Sequence, residues 1–349
     1  MADSSWTILT TDAKQKKQKM KPPSQESVPS AGKWKLLRWK GEVILLRGFR
    51  RVVRSLPLPA ARALADLLGT IAAHVDRHGR ATALENLRAA FGASPDHPRI
   101  VSACYRRFAR TFLELFWSPR LTPEILAAQC RWHFEDEAAT LDAVVGGGIF
   151  VTPHYGNFEW LAMAWRQRTR PLVIIAQDSN NPFVTPLITA DRSHSGNEIV
   201  PRQGGLLRLL RAVKSGKQVA LLPDLTTPPK AGGVVVRMFG LAASLTALPA
   251  ALAQRTGCPI IPAISIPQKD GSYLLHFAAP IRPSPEDDPA RVAQQCWDAF
   301  EPILRKNPSP WLWMYKHWRY LPGGAEEGRY PSYARPSKAF DRINRDSQI

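Results

Sequence analysis

The chain has 349 residues, 44% of them hydrophobic, with four cysteines and a formal net charge of +18. That length and apolar content suffice to bury one large core or two ordinary ones. Cys104, Cys130, Cys258 and Cys296 stand too far apart for a disulfide framework or a CxxC zinc site, so no metal is expected and a reducing, cytosolic setting fits. The positive balance calls for an anionic partner: phospholipid headgroups, nucleic acid, or an acidic carrier protein or substrate.

Residues 1–32 are polar, with a basic run from Lys14 to Lys21, and read as a disordered cationic tail without the apolar core of a signal peptide. Residues 33–55 interleave cations with apolar and aromatic side chains. Leu37, Ile44 or Leu45, and Val52 recur near a seven-residue spacing, which marks one face of a helix. A basic amphipathic helix carrying Trp34 and Trp39 is suited to the headgroup plane of an anionic membrane; the competing reading is a helix that docks on the core and keeps a solvated cationic face. Leu56 to Val75 is interrupted by Pro59, Arg62 and Asp66, so no segment qualifies as a transmembrane helix. Helical texture continues to Arg120. From about Leu141, short apolar runs (Ile149–Thr152, Leu172–Ala176, Val219–Leu222, Ile260–Ile264, Tyr273–Phe277) alternate with helical patterns at Gly205–Lys214 and Leu245–Arg255. That alternation predicts an α/β sheet with crossover helices. A last helix, about Pro289 to Arg305, precedes an aromatic block, and residues 321–349 read as a loosely ordered tail.

The segment Gly146 to Trp160 predicts a turn, a short buried strand, a loop and a helix with Asn157 as N-cap. Two residues five apart on one helix point about 140° apart, so His154 and Glu159 meet only if His154 lies in the loop and Glu159 in the first helical turn. There an imidazole could take a proton from a hydroxyl attacking a carbonyl, while the carboxylate fixes the ring's tautomer. Gly156 would let backbone N–H groups approach the developing oxyanion. On its own, a His-x4-Glu pair is a weak signal and reads more readily as a satisfied loop histidine followed by a first-turn glutamate.

The order of several further elements is more specific. Glu85-Asn86-Leu87 with Ala90-Phe91 comes first, then His154-Tyr155-Gly156-Asn157-Phe158-Glu159, then Asn180-Asn181-Pro182 with Arg192. Pro223-Asp224, Phe239-Gly240, Ala243-Ser244 and the block Pro310 to Arg319 follow. From about Leu56 to Tyr320 the chain resembles the bacterial lipid A biosynthesis (lauroyl/myristoyl) acyltransferases, within the wider lysophospholipid and glycerol-phosphate acyltransferase group.

That resemblance implies a mixed, mostly parallel sheet flanked by helices as the domain 56–320, preceded by the amphipathic element. It implies no cofactor, an acyl carrier protein or acyl-CoA thioester as donor and co-substrate, and a lipid hydroxyl as acceptor. The catalytic residues would be His154 and Glu159; Arg192, Asp224, Gly156, Asn157, Phe239, Gly240 and Ser244 would bind substrate. Three departures stand out: Leu225 where the family has Gln after the Asp, Arg237-Met238-Phe239 where it has a Phe-Phe pair, and Ser244 where Thr is usual. The expected location is peripheral or monotopic on the cytoplasmic face of a bacterial inner membrane. Trp311 and Trp313, with Lys316 and Arg319, fit either a packed flank of the sheet or a membrane-contacting rim, and the amphipathic pattern favours the rim. No reader element for nucleic acid is visible, so that partner is not expected.

Overall fold

The computed structural model describes residues 32–347. The basic tail expected at 1–32 therefore lies outside the described residues, Gly32 apart.

Four helices come first: α1 (Lys33–Ser55), α2 (Leu58–Val75), α3 (Arg77–Phe91) and α4 (His97–Trp117). Then follow α5 (Pro123–Gln129), β1 (Cys130–Phe134), α6 (Glu137–Ala143), β2 (Gly148–Val151), α7 (Phe158–Arg168), β3 (Leu172–Ala176), α8 (Thr185–Arg192), β4 (Glu198–Pro201), α9 (Gly205–Lys214) and β5 (Gln218–Leu221). A hairpin of β6 (Gly233–Met238) and β7 (Leu241–Thr246) precedes α10 (Leu248–Thr256), β8 (Ile260–Pro267) and β9 (Tyr273–Phe277). The chain closes with α11 (Pro289–Asp298), α12 (Glu301–Lys306), β10 (Tyr320–Leu321), β11 (Arg335–Pro336) and α13 (Lys338–Asp346).

The result is the α/β fold the alternating pattern predicts: a seven-stranded sheet in the order β1-β9-β8-β2-β5-β3-β4. The strands β8, β2, β5, β3 and β4 are mutually parallel, β9 turns antiparallel against β8, and β1 lies parallel to β9. Every residue of β2 and β5 is buried, as parallel strands covered on both faces require. Alternate side chains feed the two layers. Ile149, Val151, Val219 and Leu221 join one core cluster, and Phe150 and Ala220 the other.

Small residues let the N-terminal helices close over this sheet. Ala61, Ala65, Gly69 and Ala73 recur every fourth position and bury one face of α2, which packs on α4. A Cβ at Gly69 would sit 2.6 Å from the Arg106 Cα, so only glycine allows that approach. Across α1, Trp39, Val43, Arg50 and Val53 are buried. Arg50 Nε donates to Asp191 Oδ2 (2.8 Å) and Arg54 also pairs with Asp191, which ties α1 to α8 through a buried carboxylate. The opposite side leaves Trp34, Leu37, Ile44, Leu45 and Val52 exposed along one stripe, flanked by Lys40, Arg47 and Arg51. No helix among the described residues is long and apolar enough to cross a membrane.

Three expectations change here. Trp39 packs edge-on against Phe183 (6.4 Å between centroids) instead of meeting a membrane, while Trp34 remains 86% exposed. Trp311, Trp313 and Trp318 are fully buried and surround Phe239, so the aromatic block is core and not rim. Residues 321–346 are not a loose tail. Phe340 of α13 is buried against Val235 and Ala242, and Ser332 bonds Glu85 through both its N–H and its hydroxyl. The low apolar content of this segment hid its anchoring, which is achieved by a few large side chains and by polar contacts to α3.

Candidate active site

The parallel register of β2 and β5 pairs Val151 with Leu221. Each strand ends in the same way, Thr152-Pro153-His154 and Leu222-Pro223-Asp224. Proline has no N–H and stops the ladder, so the next residue is released at the carboxyl end of its strand. Three steps past paired residues, His154 and Asp224 come side by side where the sheet order turns back on itself, the place where open α/β sheets put their ligands. His154 Nδ1 donates to Asp224 Oδ1 (2.7 Å), and the His154 backbone N–H donates to Asp224 Oδ2 (2.8 Å). The indole N–H of Trp311 donates to the same Oδ2 (2.9 Å).

Asp224 is buried, which alone would push its carboxyl up. The neighbouring His154 and the hydrogen bonds from His154 and Trp311 outweigh that and hold it below the usual range. An ionised acceptor puts the imidazole proton on Nδ1 and leaves the Nε2 lone pair free. The ring is about one-fifth exposed, with Phe158 edge-on at 5.3 Å.

This corrects the expected orienter. Glu159 does not bond His154; it receives Arg192 Nε (2.9 Å) and Nη2 (2.7 Å) on one carboxylate oxygen. The first turn of α7 aims Glu159 at α8, whereas His154 turns back across the sheet toward β5. Gly156 is likewise committed elsewhere. Its N–H donates to Pro310 O (3.1 Å) and its carbonyl accepts from Thr111 (2.9 Å), so it has no N–H left for an oxyanion. Its φ of +56° and a Cβ position only 2.0 Å from Ser265 O explain why glycine stands there.

Asn157 caps α7 by accepting from Trp160 N (2.9 Å), and its amide donates to Glu114 Oε2 (2.6 Å). Fully buried, it supports the loop and does not face a substrate. Phe239 and Gly240 form the tip of the β6–β7 hairpin, both with positive φ (53° and 79°), and Ser244 on β7 donates to Thr227 O (2.6 Å) in the loop that follows β5. None of the three bonds His154 or Asp224: Phe239 packs among Trp297, Trp311, Trp313 and Trp318, Gly240 is exposed at the turn, and Ser244 is spent on Thr227.

Two buried elements were not expected. Glu114 accepts from Arg62 Nε (2.5 Å), Asn157 and Tyr273 (2.6 Å), bracing the base of α7. His317 stacks on Trp311 with 4.0 Å between centroids and donates from Nε2 to Leu312 O (2.9 Å). Burial pushes its pKa down to about 4, so it is neutral in the folded chain at pH 7. The unfolded chain takes that proton near 6.5. Stability present above pH 6.5 is therefore lost as pH falls toward 4, by about 3 kcal/mol. His317→Gln should flatten the acid side of the Tm profile between those pH values; an unchanged slope would contradict this.

Comparison with known proteins agrees with the architecture. The chain is 26% identical over 278 residues to the phosphatidylinositol mannoside acyltransferase of Mycolicibacterium smegmatis, covering 77% of this chain and 88% of that protein. The phosphatidylinositol mannoside acyltransferase of Mycobacterium tuberculosis is 26% identical, covering 76% and 85%. The lipid A biosynthesis lauroyltransferase of Escherichia coli is 23% identical, covering 61% and 68%. Residues 33–320 match the model of the bacterial lipid A biosynthesis acyltransferase family, and the chain accordingly belongs to that family and is an acyltransferase.

Proposed function

We propose that this enzyme transfers a fatty acyl chain from a carrier-protein or CoA thioester to a hydroxyl of a membrane glycolipid such as a lipid A precursor, with His154 as general base. The observation that carries the reading is the Asp224-held imidazole at the carboxyl end of the central strands, partly exposed and with no partner on Nε2 among the described residues. Nε2 takes the acceptor's hydroxyl proton as its oxygen attacks the thioester carbonyl. Collapse of the tetrahedral intermediate breaks the C–S bond, and the imidazolium returns the proton to the departing thiolate. Asp224 stays ionised and stabilises the imidazolium throughout. Arg192, fixed by Glu159, offers its remaining N–H groups to the acceptor's phosphate or to the acyl carbonyl.

The acceptor class is supported by relatives whose names specify an amphiphilic glycolipid, and both donors are polyanions suited to a chain of net charge +18. The exposed apolar stripe of α1 between its cations supports seating on an anionic membrane surface, at the cytoplasmic face where carrier protein and CoA are available.

The test is acyl transfer from labelled carrier protein and from labelled CoA into a polar lipid extract in anionic vesicles, comparing wild type with His154→Ala and recording sedimentation. Label should enter one lipid band with wild type only, while both proteins sediment. Transfer by His154→Ala at the wild-type rate would remove the base assignment, and failure to sediment would remove the membrane one.

A further inference from the structure

The indole that caps Asp224 sits on a stretch, Trp311–His317, with no helix or extended strand to hold it. Its backbone is held from outside. Asn86, fully buried on α3, donates one amide hydrogen to Trp313 O (2.7 Å) and the other to Tyr315 O (2.7 Å), and its Oδ1 accepts the Tyr333 hydroxyl. All three bonds are used, and the two carbonyls fix which end of the amide faces the loop. Tyr333 arrives from the C-terminal segment, which is strapped across α3 by Ser332 on Glu85 and Arg329 on the Ala89 carbonyl. Cys104 on α4 donates to Trp311 O (2.9 Å), and Thr226, two residues past Asp224, donates to His317 O (2.7 Å).

We infer that Asn86 and Tyr333 are positioning residues for acyl transfer: they hold the Trp311–His317 loop so that the Trp311 N–H stays on Asp224. The inference rests on the reading of Asp224 and His154 given above. A buried amide whose N–H donors are both committed transmits a displacement of one partner to the others, because any unmade bond leaves a buried polar group unpaired.

The experiment uses the full chain with Tyr333→Phe, Asn86→Ala, Trp311→Phe and the two doubles that combine either loop-holding change with Trp311→Phe. It measures kcat, KM and the His154 Nδ1–H proton resonance, identified by its absence in His154→Ala. Tyr333→Phe should lower kcat roughly tenfold and Asn86→Ala roughly a hundredfold, with KM nearly unchanged and the resonance shifted as in Trp311→Phe. In the doubles, the loss should not exceed that of Trp311→Phe alone. Tyr333→Phe removes only a hydroxyl, so it reports even if Asn86→Ala folds poorly. Losses that multiply in the doubles, or a lowered Tm with kcat per folded enzyme unchanged, would overturn the inference. The resonance separates the two possible failures. A signal that shifts in Tyr333→Phe and Trp311→Phe alike without any change in transfer counts against the general-base reading. A signal unmoved in Tyr333→Phe and Asn86→Ala counts against the positioning role.

Discussion

Asp224→Asn should lower kcat for acyl transfer by roughly 10⁴-fold with the fold retained, the loss expected when the acid of a His–Asp pair becomes an amide. The hydrogen-bond count says why. Asp224 Oδ2 accepts two donors, the His154 backbone N–H and the Trp311 indole, whereas Oδ1 accepts only the imidazole. An amide oxygen would keep the two-donor side, which turns the NH2 group toward Nδ1. The imidazole must then accept at Nδ1 and carry its proton on Nε2, where no lone pair remains to receive the acceptor's proton. Glu159→Gln acts only through Arg192, and losing one charge-assisted pair should cost roughly tenfold. Steady-state rates with labelled donor compare the two carboxylates directly. A larger loss in Glu159→Gln than in Asp224→Asn would return the orienting role to Glu159.

The second large effect is on stability. Glu114 is 1% exposed, and three donors converge on its carboxylate. Burial, followed by the charge of Glu114, pushes the Tyr273 phenol well up, so its hydroxyl remains a donor. Glu114→Ala would strand a largely buried guanidinium at Arg62 together with the Tyr273 hydroxyl and the Asn157 amide. Removing one partner of a buried ion pair costs about 3–5 kcal/mol. In a chain of this size that corresponds to a Tm lowered on the order of 10 °C. Because Asn157 caps α7 immediately after the catalytic loop, activity should fall at temperatures below the global melt. A Tm within a degree or two of wild type would show that the network is relieved by water and carries little of the stability.

Much of the fold was legible because it is written locally. The apolar runs that became β2, β3, β5, β8 and β9 are continuous and bounded by turns, and the helix at Gly205–Lys214 carries its full amphipathic pattern. The expected helix from Pro289 to Arg305 proved to be two, since the chain turns at Ala299 and Phe300 to bury the Phe300 ring. The aromatic block misled for a related reason. Alternating Trp with Lys and Arg looks interfacial in one dimension, but the loop folds so that Trp311, Trp313 and Trp318 all turn inward while Lys316 and Arg319 face out.

By itself the sequence determined the α/β class, the strand–loop–helix around His154, the Asn157 cap and the family to which the chain belongs. Each rests on residues adjacent in the chain or on an ordered set of motifs. Only the tertiary structure decided which carboxylate serves His154. Glu159 is five residues away and Asp224 seventy, yet the register of two neighbouring parallel strands outweighs that separation and puts Asp224 within 2.7 Å. Sequence proximity limits where a side chain can be, but hydrogen bonds are made in space, and pairing between strands is a long-range choice that no local pattern encodes.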